Sequence, residues 1–132
     1  MSALLTVDEK LPAVFQAVDA LSSAYRELWK QVCALESPTY EKKAVDRVGE
    51  RLAQWARRQG WQTERFPIQQ SGDCWCITMC PSAPGQPVAL SGHMDTVHAP
   101  GAFGADPVRI EGDWIYGPGV ADDKGGIVLR CV

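Results

Sequence analysis

The sequence predicts an α/β fold in which a mixed β-sheet is flanked by helices. Two long segments come first, with apolar residues every three or four positions, which is the period of a helix buried on one face. Shorter segments rich in β-branched and aromatic residues follow, and turn residues separate them. A glycine-rich stretch then leads into a last apolar run. This order of elements indicates a single α/β unit.

The two helices are predicted over residues 8–36 and 40–59. The first should begin close to Pro12, because proline is tolerated only in the first turn of a helix. Thr39 is a candidate N-cap of the second helix, and Gly60 stands where a left-handed residue ends a helix. The apolar positions expected to face the core are Leu11, Val14, Val18, Leu21, Tyr25, Leu28, Val32 and Leu35 in the first helix and Val45, Val48, Leu52 and Trp55 in the second.

The rest of the chain is predicted to form strands and the start of one more helix. The strands cover residues 61–68, 74–80 and 87–92, a hairpin pairs 108–110 with 114–116, and a helix begins within 127–132. The sequence Glu111-Gly112-Asp113 between the last two strands is typical of a hairpin turn. Four tryptophans are expected in the core and one on the hairpin: Trp29, Trp55, Trp61 and Trp75, and then Trp114.

Three cysteines, Cys74, Cys76 and Cys80, would share one face of the second predicted strand. Residues two apart on a strand are separated by about 6.5–7 Å, too far for a thiolate metal cluster. We therefore expect these cysteines to be buried as small apolar side chains. The chain has five cysteines, an odd number, and no export signal, so free thiols are predicted.

Composition and charge exclude several classes of protein. The 132 residues include 13 basic and 16 acidic side chains, a net charge of −3, which argues against nucleic acid or an anionic membrane as a partner. The sequence contains no run of about 18 apolar residues, so no membrane-spanning helix is expected. The N-terminus lacks the basic and apolar regions of a signal peptide, so the cytoplasm is the expected compartment.

The segment Ser91-Gly92-His93-Met94-Asp95-Thr96-Val97 is the first with a chemical pattern. His93 and Asp95 are two residues apart at the end of a predicted strand and would share a face. That arrangement suits an imidazole that binds a metal ion and a carboxylate that orients it. A surface pair without a ligand is the alternative. His98 is expected to be solvated, with contact to a substrate as its alternative role.

The second segment is Tyr116-Gly117-Pro118-Gly119-Val120-Ala121-Asp122-Asp123-Lys124-Gly125-Gly126. Two adjacent carboxylates at the start of a helix are costly unless a cation lies nearby, and one carboxylate can bridge two metal ions. The alternative is a helix whose N-cap is Asp122 or Asp123. A phosphate loop does not fit, because its lysine pattern is absent. Lys124 could face the site or fasten the loop.

Taken together, these segments resemble the co-catalytic zinc exopeptidase family of carboxypeptidase G, acetylornithine deacetylase, succinyl-diaminopimelate desuccinylase and aminoacylase. The similarity is greatest to the glutamate carboxypeptidase branch, in which His-Met-Asp-Thr-Val, the hairpin and Ala-Asp-Asp-Lys-Gly-Gly follow in the same order. Weaker similarity reaches back to about residue 28. The resemblance implies that residues 1–132 are the N-terminal part of the catalytic domain, truncated before the lid or dimerisation domain.

The resemblance also implies roles for single residues. His93 would bind one metal ion, Asp122 would bridge two, and Asp95 would be the catalytic-site carboxylate that holds the His93 ring. The peptide bond between Asp122 and Asp123 would be cis. The implied cofactor is Zn²⁺, two ions in the complete enzyme, with Co²⁺ or Mn²⁺ possible.

The implied reaction is hydrolysis of a small peptide or an N-acyl amino acid by a metal-activated water, and a full-length enzyme could be a homodimer. The family's general base, a glutamate in a Glu-Glu pair, has no counterpart here. The 132-residue chain alone is therefore expected to be inactive. The alternatives are an inactive fragment, an N-acyl amino-acid deacylase of the same family, and an interaction module that keeps only the fold.

Overall fold

A computed structural model describes residues 7–131 of the chain. The elements in chain order are α1 (Val7–Ala34), α2 (Lys42–Arg58), β1 (Gln62–Phe66), β2 (Cys74–Thr78), β3 (Arg109–Glu111), β4 (Trp114–Tyr116) and α3 (Lys124–Leu129). β1 pairs with β2 and β3 with β4, both antiparallel. Helices and strands are thus combined as predicted, and the hairpin is confirmed. The prediction of a mixed sheet is wrong for residues 7–131, because their strands form two separate two-stranded antiparallel sheets.

The core lies where the C-terminal half of α1 meets α2 and α3. Its fully buried apolar side chains are Leu28 and Val32 from α1, Val48 and Leu52 from α2, and Val128 from α3. Tryptophans pack around it: Trp29 and Trp55 contact the core, and the Trp61 ring meets Trp55 edge-on with centroids 5.3 Å apart. These side chains confirm the predicted core-facing positions in the C-terminal half of the first helix and in the second helix.

The N-terminal half of α1 does not follow the prediction. Leu11, Val14, Val18 and Leu21 are all exposed, although they continue the same apolar spacing as Leu28. α2 and α3 pack only along the C-terminal half, so the first turns find no partner among the described residues. α1 begins at Val7, one residue before the predicted range 8–36, but the expectation that it starts close to Pro12 is wrong: Pro12 lies inside the helix at the cost of one exposed backbone hydrogen bond.

The start of α2 corrects a second detail. Its N-cap is Glu41, and no side chain caps the helix, so Thr39 is not the cap that the sequence suggested. The end agrees with the prediction, because Gly60 follows with a φ of 79°, in the left-handed region. The Thr39 hydroxyl is therefore available for another partner, which proves to be in the candidate site.

The β1–β2 sheet packs on α2 through one face of β2. Trp75 lies against Gly49 of α2, where a Cβ atom would come within 2.3 Å of the indole nitrogen. Cys74 and Cys76 point to the other face and are exposed, and Cys80 lies exposed beyond the strand. Their predicted burial is wrong, because no element described here covers that face. All five cysteines are free thiols, as predicted.

Residues 87–92, the third predicted strand, have no strand pairing in the structure. Val88 and Leu90 are largely exposed there, because no strand within residues 7–131 pairs with this segment or covers it. Trp114 is likewise exposed rather than packed on its hairpin. The last helix is confirmed but begins at Lys124, earlier than predicted.

A buried carboxylate, Asp73, joins α2 to the β1–β2 sheet. Its side chain is only 2% exposed and accepts hydrogen bonds from Lys42, from Arg65 Nε at 2.6 Å and from the Ile68 backbone N–H at 2.9 Å. Asp46 of α2 accepts from the Asp73 backbone N–H at 2.7 Å and pairs with Lys42 at 3.0 Å. Lys42, Asp46, Arg65 and Asp73 are called the Asp73 network below.

Among residues 7–131, no helix combines the length and the apolar character needed to cross a membrane.

Candidate metal centre

The segment that carries His93 and Asp95 is fastened to the connector between α1 and α2, residues 35–41. Ser37, which is fully buried, donates its hydroxyl to the Met94 carbonyl at 2.8 Å. The Thr96 N–H donates to the Ser37 carbonyl at 2.8 Å, and the Thr39 N–H donates to the Thr96 carbonyl at 3.1 Å. Pro38 and Thr96 form a parallel bridge. The connector therefore holds this segment by its backbone.

The loop that carries Asp122 is fastened to α1 and to the same connector. The Trp29 indole N–H donates to the Val120 carbonyl at 3.2 Å. Lys124, which has no exposed surface, donates its ammonium to the Leu35 carbonyl at 2.7 Å. Burial lowers the pKa of Lys124 to about 8. The open question about Lys124 is thus answered: it fastens the loop to the end of the first helix.

The two adjacent carboxylates have different surroundings. Asp123 pairs with Arg130, the C-cap residue of α3, at 2.8 Å, whereas the Asp122 side chain is 91% exposed. The peptide bond between them is cis, as the family resemblance implied. Asp123 stands at the N-cap position of α3 but makes no side-chain capping hydrogen bond. Asp122 is therefore the carboxylate that remains open to a ligand.

The structure brings His93, Asp95 and Asp122 together. His93 Nδ1 lies 3.2 Å from Asp95 Oδ1, and His93 Nε2 lies 2.9 Å from Asp122 Oδ1. The Asp122 contact, with help from Asp95, raises the pKa of His93 against a smaller opposing effect of burial. The hydrogen bond from Thr39 is the main cause that lowers the pKa of Asp95. The imidazole thus lies between two carboxylates.

This donor set is chemically suited to a zinc ion. If Asp95 accepts the Nδ1–H of a neutral ring, the lone pair of Nε2 faces a carboxylate oxygen of Asp122. Two electron-pair donors at 2.9 Å need a cation between them, either a proton or a metal ion. Two ligands on one tetrahedral zinc ion lie about 3.3–3.5 Å apart, so a small outward shift would admit the ion.

The part of the chain covered by the structure supplies two such ligands and not a complete cage. Within residues 7–131, no group of three or more His, Cys, Asp or Glu side chains could hold a metal ion. The function of His93 and Asp122 as metal ligands therefore stays a prediction, although their proximity is observed.

An open cleft of about 260 Å³ adjoins these side chains. The glycine-rich loop lines one side, through Gly117 and Gly119, and residues 93–98 line the other. His98 borders the cleft, is exposed, and meets Phe103 edge-on with ring centroids 4.9 Å apart. Both alternatives for His98, a solvated ring and a ring that touches a ligand, are compatible with this position.

Comparison with known proteins finds a local match. The chain is 55% identical over 42 residues to carboxypeptidase G2 of Pseudomonas sp. (strain RS-16). The matched stretch makes up 32% of this chain and only 10% of that protein's length. No protein-family model matches the chain. The match supports a relationship to the carboxypeptidase G family and no finer assignment.

Sequence reasoning missed the residues that fasten the site. Trp29 was expected only as a core residue, and Thr39 only as a helix cap. Both bond to partners more than fifty positions away, Trp29 to Val120 and Thr39 to Asp95. No local pattern records such pairings. For Lys124 the sequence left two roles open, and its complete burial is an exception to the usual exposure of lysine.

Proposed function

We propose that this chain carries part of the zinc centre of a metallopeptidase of the carboxypeptidase G type. His93 and Asp122 would bind metal, and Asp95 would hold the imidazole from its other side. The proposal depends mainly on one observation, the 2.9 Å approach of His93 Nε2 to an exposed carboxylate oxygen of Asp122. The local match to carboxypeptidase G2 supports the same reaction class, hydrolysis of a C-terminal amide.

The residues of this chain would act by binding and orienting. Asp95 would accept a hydrogen bond from Nδ1–H, which leaves Nε2 of His93 as an electron-pair donor toward the metal. Asp122 offers its carboxylate from the opposite loop. A zinc ion, when bound, would act as a Lewis acid and would lower the pKa of a water molecule that it binds. The further ligands and the general base that the resemblance implies would come from outside residues 7–131.

The test is a measurement of zinc affinity by competition with a chromogenic chelator, using the 132-residue chain. His93→Ala and Asp122→Asn should each weaken zinc binding at least about tenfold, the lower end of the loss caused by removing even a supporting residue. His98→Ala is the matched control, because it removes the other imidazole at the border of the same cleft. It should leave the affinity within about twofold of the original.

Two results would contradict the proposal. One is the absence of zinc binding above the level of a His93→Ala, Asp122→Asn double variant. The other is equal loss in the His98→Ala control, which would indicate surface binding by any histidine. Substrate class needs a separate assay, in which peptides with different C-terminal residues are compared with N-acyl amino acids. We expect glutamate-terminated amides to be preferred in a complete enzyme.

A further inference from the structure

Thr39 is the residue that joins the connector to the side chains of the candidate metal centre. Its hydroxyl lies 2.6 Å from Asp95 Oδ2, although 56 positions separate the two residues. The other oxygen of the same carboxylate, Oδ1, lies 3.2 Å from His93 Nδ1, which is equally close to the Asp95 backbone carbonyl. The carboxylate therefore uses one oxygen for each neighbour, and a contact with Thr39 fixes the direction of the contact with His93.

The hydroxyl has a second acceptor within reach, the Thr96 carbonyl at 3.3 Å. A hydroxyl donates only one proton, and the carboxylate is both charged and closer. The carbonyl is in addition already bonded to the Thr39 N–H at 3.1 Å. The proton of Thr39 is thus directed to Asp95.

The backbone around Thr39 is held well enough to make this contact specific. Ser37 and Pro38 before it are fully buried, and the bridge between Pro38 and Thr96 sets the register of the two segments. Thr39 itself is exposed, so removing its hydroxyl leaves no buried cavity. A substitution there changes the polar contact with little change in packing.

We propose that Thr39 is a positioning residue of the candidate metal centre, whose hydroxyl holds the Asp95 carboxylate so that Oδ1 accepts a hydrogen bond from His93 Nδ1 and Nε2 is left for a metal ion beside Asp122. This inference rests on the proposed function for its metal readout. It can also be measured without metal in an Asp122→Asn background, because the Asp122 carboxylate, which favours a proton on Nε2 in the metal-free chain, is then replaced by an amide.

The experiment compares Thr39→Val, which has nearly the same shape without a hydroxyl, with Thr39→Ser, which keeps the hydroxyl. Zinc affinity in Thr39→Val should fall by about 10–100-fold, the usual cost of losing a residue that orients a metal ligand. Thr39→Ser should stay within about threefold of the original chain. Thr63→Val is the matched control, because Thr63 is a β1 threonine whose hydroxyl accepts from Arg57.

The second readout is the tautomer of His93, from long-range ¹⁵N–¹H correlation spectra of the metal-free Asp122→Asn chain at a pH where the ring is neutral. A His98→Gln variant assigns the two imidazoles, since the sequence has only two histidines. In this background the Nδ1–H form should dominate with Thr39 and with Thr39→Ser, and Thr39→Val should shift the ring toward the Nε2–H form. Thr39→Ala provides the same comparison if the valine variant does not fold.

The outcomes separate the two proposals. If the original chain fails to bind zinc but Thr39→Val shifts the tautomer, the inference stands and the proposed function fails. If zinc binds through His93 while Thr39→Val changes neither affinity nor tautomer, the inference is overturned and the proposed function stands. A loss of affinity as large in Thr63→Val would also overturn the inference.

Discussion

The Asp73 network and the candidate metal centre are built from the same kinds of side chain but differ in burial and in completeness. Asp73 is 2% exposed and bonded to Lys42, Arg65 and a backbone N–H. Asp122 is 91% exposed, and His93 is its one hydrogen-bond partner observed within residues 7–131. In the first cluster a buried carboxylate meets two partly exposed cations and a backbone N–H. In the second, a carboxylate and an imidazole face each other in an open cleft.

This difference separates a structural role from a binding role. A buried carboxylate whose partners are all in place stabilises the fold and has no capacity left for a ligand. An exposed carboxylate contributes little to stability but keeps its oxygens free for a cation. Substitutions in the Asp73 network should therefore lower thermal stability and leave zinc affinity unchanged. Substitutions in the candidate metal centre should lower zinc affinity and leave thermal stability unchanged.

The largest expected effect on stability is that of Asp73→Asn. The amide keeps the shape but loses the charge that meets Lys42 and Arg65, so Tm should fall on the order of 10 °C. Zinc affinity should not change. Differential scanning fluorimetry and the chelator competition measure the two quantities.

Asp122→Asn is the matched control for that prediction, because it is the same substitution at an exposed carboxylate. Its Tm should stay within about 2 °C of the original, while its zinc affinity falls. Equal changes of Tm in the two variants would remove the distinction between a structural and a binding carboxylate.

The two clusters also differ in how far the sequence predicts them. Two short motifs, and the family resemblance that they carry together, pointed to His93, Asp95 and Asp122. Each motif is local in the sequence: a histidine two before an aspartate, and a pair of aspartates among glycines. Nothing in the sequence pointed to Asp73. Its partners come from separate elements, Lys42 from α2 and Arg65 from β1, and only the packed structure brings them together.

The same limit applies to the fold. Helix periodicity predicted the buried stripe at Leu28 and Val32 correctly, because local spacing and tertiary burial agree there. It failed at Leu11 and Val14, where the spacing continues but no packing partner is present among the described residues. An apolar segment after a turn-rich stretch also predicted a strand over residues 87–92, yet a strand needs a neighbour, and local sequence does not report on neighbours.

A second, smaller effect is the pH dependence of the Asp73 contribution. The Lys42 contact, followed by the Ile68 N–H and Arg65, holds the pKa of Asp73 well below its ordinary value. A lowered folded-state pKa gives stability that is fully present above the unfolded pKa of about 3.9 and is lost as the pH falls toward the folded value. Asp46, which also faces Lys42 and Arg65, stays in both chains of the comparison.

The measurement is the difference in Tm between the original chain and Asp73→Asn across a pH series. The difference should be constant above about pH 5 and should narrow steadily below about pH 4. Carboxylates outside the Asp73 network titrate in both chains and cancel in the difference. A gap that stays constant down to about pH 2 would mean that the charge of Asp73 does not stabilise the fold.

The smallest effect is expected for Lys42→Met, which removes one of the two cations on Asp73. The Lys42 side chain is 36% exposed, so its ammonium is partly hydrated, and methionine keeps most of the apolar stem. Arg65 still bonds Asp73 through Nε, and the Ile68 N–H remains. Tm should therefore fall by only roughly 2–4 °C, well short of the loss in Asp73→Asn.

Lys43→Met, at the exposed neighbouring position in α2, is the control and should leave Tm nearly unchanged. If Lys42→Met lowered Tm as much as Asp73→Asn, the carboxylate would depend on a single cation, and the closed network described here would reduce to one ion pair.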